Sequence, residues 1–113
     1  MLLGAYVSGS DFTGANMAGT RLSGADMRRC FLTGAYLKGA SLNNVNLSDV
    51  DLRAADLTDV QFELLESIAG ADFSRVQGLS EEARARLLAR PASELDQWNP
   101  YTRRSTRDSL TLS

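Results

Sequence analysis

Apolar residues recur along the first half of the chain with a period that belongs to neither a helix nor a flat strand. Divided in fives from Ala5, residues 5–64 form twelve consecutive units without a gap. The third place of these units is always apolar: Val7, Phe12, Met17, Leu22, Met27, Leu32, Leu37, Leu42, Leu47, Leu52, Leu57 and Phe62. The first place is always small, being Ala, Ser, Thr, Cys or Val. Asp or Asn fills the second place in six units, and Gly fills the fifth in six.

A helix face repeats every 3.6 residues and a strand face every 2, so a period of five requires a chain that turns a corner in every unit. The first and third places then point inward and the other three outward. Four sides close a square coil of about twenty residues, and coils stack at roughly 4.8 Å, the spacing of paired strands. Third places one coil apart form interior ladders, such as Phe12, Leu32, Leu52 and Met17, Leu37, Leu57. The predicted core is Phe12, Leu32, Leu37, Leu52, Leu57 and Phe62. Gly in the fifth place is expected to relieve crowding at the turn. One buried Leu gives ~2 kcal/mol while ordering each residue costs ~1–2 kcal/mol, so a lone coil does not hold and stacking supplies the stability.

The twelve units resemble the pentapeptide repeat family, whose motif is A(D/N)LXX. That resemblance implies an all-β solenoid, a right-handed quadrilateral β-helix. A one-residue slip follows near Leu64-Leu65-Glu66, and the pattern resumes at Glu66-Ser67-Ile68 and Ala71-Asp72-Phe73. The β-helix is expected over 1–78, three coils and most of a fourth, roughly 15–20 Å tall at the strand spacing.

Composition changes after Gly78. Ser80 before Glu81 and Glu82 reads as an N-cap with acids at the positive end of a helix dipole, and Pro91 stops the run. Residues 79–113 are predicted to be a capping helix and tail, with Ala83, Leu87 and Leu88 turned inward and Trp98 anchoring the tail to the body. The segment from Asn99 to Leu110 resembles the NPxTxxxTRxSL ending of pentapeptide proteins from cyanobacteria and the thylakoid lumen, matching at Asn99, Pro100, Thr102, Thr106, Arg107, Ser109 and Leu110. The resemblance implies that Thr106 and Arg107 tie the tail to the helix. The cysteines that lumenal members carry are replaced here by Leu87-Leu88-Ala89 and Thr111-Leu112.

Charge and composition narrow the chemistry. The 113 residues carry 12 Lys+Arg against 14 Asp+Glu, with no His and one Cys. A net charge of −2 excludes a broad electropositive footprint for nucleic acid. The lack of His removes the commonest general base and metal ligand. No stretch has the length of a membrane helix, so membrane insertion is not expected. Cys30, in a first place, reads as a small buried residue rather than a redox thiol. Asp49, Asp51, Asp56 and Asp59 sit where the repeat places outward polar residues, and they are separated by corners. No nucleophile–base pair, phosphate loop or metal-spaced set is present, so neither a cofactor nor a metal is expected and the chain reads as non-enzymatic.

Three aromatics break the polar second place: Tyr6, Phe31 and Tyr36. With Arg28 and Arg29 nearby they form a candidate partner surface. The other reading is that the tail, or an N-terminal segment, covers them. Two functions follow. The first is a small rigid protein-interaction module in a photosynthetic cell, which the tail resemblance implies. The second is a DNA-mimicking regulator of a gyrase-type topoisomerase, as some pentapeptide proteins are. Residues 1–78 hold 9 acids and 6 bases, a net charge of −3, which is thin beside duplex DNA with a phosphate every 3.4 Å on each strand. The open edge of the N-terminal coil face calls for protection, either by a homodimer through that face or by a missing segment. As it stands the sequence reads as cytoplasmic; a thylakoid-lumen address applies if it is a processed form or a fragment.

Overall fold

A computed structural model describes Gly4 and residues 6–111. Each second-place residue pairs in parallel with its counterpart one coil later, and these pairings build four columns. One runs Tyr6, Asp26, Asn46, Ser67; the next Asp11, Phe31, Asp51, Asp72; the third Asn16, Tyr36, Asp56, Gln77; the fourth Arg21, Ser41, Gln61. They are called sides 1 to 4 below. The body is therefore a four-sided parallel β-solenoid. Pairing partners stand 20 residues apart down to Ser41–Gln61 and 21 apart from Asn46–Ser67 onward, so one residue is inserted between Gln61 and Ser67. The ladder absorbs it as a bulge: Glu66 N–H reaches Val45 O at 3.0 Å while Ser67 stands opposite Asn46.

Two local devices turn each corner. The first-place N–H bonds back to the third-place carbonyl, as Ala40 N–H does to Leu37 O at 2.9 Å, closing a four-residue turn. The residue before it, in the fifth place, takes a positive φ, as in a type II turn. This corrects the expected reason for glycine. A Cβ built on Gly39 meets nothing within 4 Å, so its φ of +71° and not crowding selects glycine there. Ala54 occupies the same conformation at φ 62° and bears the strain.

The second device explains the Asp and Asn of the second place. Their Oδ1 accepts the backbone N–H two residues on: Thr13 N to Asp11 at 2.9 Å, Arg53 N to Asp51 at 3.0 Å, Thr58 N to Asp56 at 3.0 Å, Ser74 N to Asp72 at 2.8 Å. A short side-chain acceptor thus caps an amide that the ladder leaves over.

The interior is a single apolar column. Leu32, Leu37, Leu52 and Leu57 are buried, whereas Phe12 and Phe62 are only partly buried because each lies near an end of the solenoid. Cys30 is buried and its Sγ lies 3.1 Å from Val7 O. Burial pushes its thiol pKa up.

The lower end is closed by three helices, α1 (Glu81–Leu88), α2 (Ala92–Leu95) and α3 (Thr106–Thr111). Ser80 caps α1 by accepting Ala83 N–H at 3.1 Å, and α1 ends before Pro91, which itself starts α2. Leu87, Leu95 and Leu110 complete the solenoid core from below. Polar groups of the cap replace the carbonyls of a missing next coil. Glu94 Oε1 accepts Ile68 N–H at 2.9 Å, and Ser109 Oγ accepts Phe73 N–H at 2.9 Å. Arg90 holds Glu94 in place at 2.8 Å.

Between α2 and α3 the chain forms a short hairpin, with Trp98 and Ser105 paired antiparallel. Its anchor is Asn99 and not Trp98, which is 64% exposed. Asn99 is fully buried; its Nδ2 donates to Val50 O (3.0 Å) and Gly70 O (2.9 Å), and its Oδ1 accepts the N–H groups of Tyr101 (2.9 Å) and Thr102 (3.1 Å). A tryptophan side chain has one donor and no acceptor, so it cannot satisfy these four groups.

Candidate functional site

Four of the fixed places of the tail pattern face the solenoid. Asn99, Thr106, Ser109 and Leu110 are buried against the solenoid. Thr106 Oγ1 donates to Ile68 O at 3.2 Å, so this residue ties the tail to the solenoid and not to the preceding helix. Arg107 Nε donates to Asp96 Oδ1 at 3.0 Å, just beyond α2. Thr102 is half-buried and Pro100 is exposed. Tyr101 and Arg103, in variable places, are exposed.

The aromatics of the second place lie on three different sides. Tyr6 heads side 1 and is 89% exposed. Tyr36 stands on side 3, also exposed, beside Asn16, Lys38 and Asp56. Phe31, on side 2, is half-buried because the Tyr101 ring packs over it with centroids 4.6 Å apart and planes tilted by 48°. Of the two readings of these aromatics, cover applies to Phe31 and open exposure to Tyr6 and Tyr36.

Arg28 and Arg29 belong to the side of Tyr6. Arg28 forms a forked pair with Asp26, Nε to Oδ1 at 2.9 Å and Nη2 to Oδ2 at 2.7 Å, which lowers the carboxyl pKa and raises that of the guanidinium. Arg29 lies 4.0 Å from Asp49. These residues border a groove of about 460 Å³ with Ser8, Asn46 and Ser48. The corner continues downward from Asp49 to Gly70, where a Cβ would lie 2.2 Å from Asp49 Oδ1 and 3.3 Å from Trp98 O. Tyr6, Arg28, Arg29, Trp98, Tyr101 and Arg103 therefore follow one corner of the solenoid and the hairpin that crosses it. Sequence reasoning missed Trp98 and Tyr101 as surface residues. The available signal was that Tyr101 occupies a variable place of the tail pattern.

The second-place aromatics also forgo the corner cap. Where Asp or Asn would accept the fourth-place amide, the Tyr6, Phe31 and Tyr36 side chains offer no acceptor within reach. Among the described residues no group of three His, Cys, Asp or Glu is arranged to hold a metal ion, and no helix is long and apolar enough to cross a membrane.

The chain matches the family of pentapeptide repeats over residues 2–29 and 30–64. It belongs to the pentapeptide repeat family, whose fold is the quadrilateral β-helix. Among solved structures it is similar to Rfr23, a pentapeptide repeat protein of the cyanobacterium Cyanothece 51142, with 23% identity and a TM-score of 0.63 over 65% of this chain and 49% of that one. The chain thus spans about half the length of Rfr23. Matches also include a pentapeptide repeat protein of the Arabidopsis thaliana thylakoid lumen (24% identity, TM-score 0.40, covering 99% of this chain and 91% of that one). Another is HetL of Nostoc, a protein involved in heterocyst differentiation regulation (22%, 0.40, 67% and 39%). No curated protein matches the chain.

Proposed function

We propose that this protein is a non-catalytic interaction module of a photosynthetic cell, a right-handed quadrilateral β-helix that presents fixed side chains to a protein partner. The observation that carries the reading is the aromatic substitution at the second place. Tyr6 and Tyr36 surrender a corner hydrogen bond and expose a large ring to water, a double cost that a partner surface offsets. Tyr, Trp and Arg are the side chains that dominate binding energy at interfaces, and Tyr6 shares a side with Arg28 and Arg29, whose corner the hairpin of Trp98 crosses. Rigidity favours this role, since a preformed surface loses little entropy on binding. The NPxTxxxTRxSL ending supports the photosynthetic context. The N-terminal coil, where Val7, Phe12 and Ala15 are only partly buried, is proposed as a contact between two copies.

The test is crosslinking capture from a photosynthetic host, comparing the protein with a Tyr6→Asn, Tyr36→Asn double variant. Both changes restore a corner acceptor, so the variant folds. A partner captured by the unaltered protein and lost by the variant supports the surface. Equal capture by both refutes it, and capture of gyrase subunits brings the DNA-mimic function forward instead.

A further inference from the structure

On the opposite corner of side 2, away from Tyr6 and Trp98, Arg53, Arg75 and Arg104 line one half-open groove of about 370 Å³ together with Thr33, Ala54 and Ser74. Thr33, Arg53 and Ser74 are the fourth-place residues of three successive coils, so the groove runs along the solenoid axis. Arg104 enters it from the hairpin and donates through Nη1 to Ser74 Oγ. The fold thus brings three guanidinium groups to one place from three separate segments.

Their donors are only partly used. Arg53 is held in a fork by the buried Asp51, Nε to Oδ1 at 2.9 Å and Nη2 to Oδ2 at 2.7 Å, which leaves Nη1 without an acceptor among the described residues. Arg104 keeps Nε and Nη2. Arg75 has no hydrogen bond or ion pair among the described residues. The two nearby carboxylates lie beneath and are buried: Asp51 faces Arg53, and Asp72 accepts the Ser74 N–H (2.8 Å) and hydroxyl (2.6 Å) through Oδ1. Three cations over two anions leave a net positive floor, in a chain whose total charge is −2.

We propose that this groove is a binding site for a phosphate group, carried by a small phosphate monoester. A single carboxylate accepts at about four lone-pair positions, fewer than the free guanidinium donors offer. A phosphate presents three terminal oxygens to planar forks, the match that favours arginine over lysine at such sites. The volume lies at the low end of small-ligand pockets, which leaves room for an organic portion beyond the phosphate. Asp51 keeps the Arg53 fork in one orientation, so the site is preorganised. Arg75, exposed and without a partner among the described residues, supplies a charge free to meet the ligand.

The experiment is an amide-resolved NMR titration at low ionic strength with two probes, inorganic phosphate and ribose 5-phosphate. Saturating shifts centred on Thr33, Ala54, Ser74 and Arg75 are expected. Arg75→Asn, which tolerates the positive φ of that position, weakens binding about tenfold. Arg29→Asn removes the same charge in the same backbone conformation on another corner and changes binding by less than about twofold. Tighter binding of ribose 5-phosphate identifies an ester as the ligand, and equal binding identifies free phosphate. Shifts that fail to saturate at on the order of 10 mM, or equal weakening by the two variants, overturn the site.

Discussion

Replacing Asn99 by alanine tests whether the tail is held by one buried amide. The substitution deletes four hydrogen bonds of 2.9–3.1 Å and strands the carbonyl of Gly70 and the amides of Tyr101 and Thr102, while the Val50 carbonyl keeps the Asp72 N–H at 3.0 Å. At about 1 kcal/mol for each buried bond lost, destabilisation is about 3–4 kcal/mol. Against a total stability of about 5–15 kcal/mol this is a large fraction, and it lowers the melting temperature by about 10 °C or more. Asn99→Asp separates geometry from volume. It keeps the acceptor for Tyr101 and Thr102 but turns a carboxylate oxygen toward two carbonyls, so at neutral pH it is at least as damaging as alanine. Protonation restores one donor, so Asn99→Asp recovers relative to Asn99→Ala as pH falls, the sign expected for a carboxyl whose folded pKa is raised. Urea unfolding followed by circular dichroism, and by the fluorescence of the single tryptophan, reads both variants. An Asn99→Ala protein within about 0.5 kcal/mol of the unaltered chain refutes the reasoning.

Further substitutions probe the solenoid. Tyr36→Asn gains the corner acceptor for Lys38 N–H and raises stability by about 0.5–1 kcal/mol; a loss on urea unfolding contradicts the account of the second place. Ala54→Gly relieves a positive φ of 62° at an exposed corner and stabilises by about 0.5–1 kcal/mol, and an unchanged urea midpoint contradicts the strain. Leu52→Asp puts an unpaired carboxylate into a fully buried ladder and prevents folding, so a cooperative melt near that of the unaltered protein refutes the inward register. Asp26 and Asp56 have carboxyl pKa values lowered in the folded state, by the Arg28 side chain and by the Thr58 hydroxyl and amide respectively. Their contribution is complete above the unfolded value of about 3.9 and is lost as pH falls through the folded one; a melting temperature that stays flat below about pH 4 contradicts it.

The solenoid was legible because its information is repeated. Each corner needs the same few residue types, so Leu32, Leu37, Leu52 and Leu57 declare their direction by register alone, and the slip near Leu65 shows as a break in phase. The cap was less legible because every contact in it occurs once. A large aromatic such as Trp98 is the natural guess for an anchor by buried area. The structure instead needs a side chain with two donors and two acceptor positions, placed to reach backbone groups of two coils, and the buried Asn99 supplies it. The cover over Phe31 was equally hidden, since Tyr101 lies 70 residues away in sequence. The fifth-place glycines of the regular repeats, such as Gly39, were placed correctly but for a different cause, since the constraint there is φ and not space.

The hairpin has a consequence for how the molecule comes apart. A stack of coils with only nearest-neighbour contacts loses its ends piecemeal, one layer after another. Here a single turn of chain touches three layers at once: Tyr101 at Phe31, Asn99 at Val50 and Gly70, and Arg104 at Ser74. It acts as a rivet driven through the stack from outside, and it makes layers that are separate in principle melt in a single step. A chain holding every repeat but lacking residues 99–110 is a loose stack, and the coils become one cooperative body only when those residues dock.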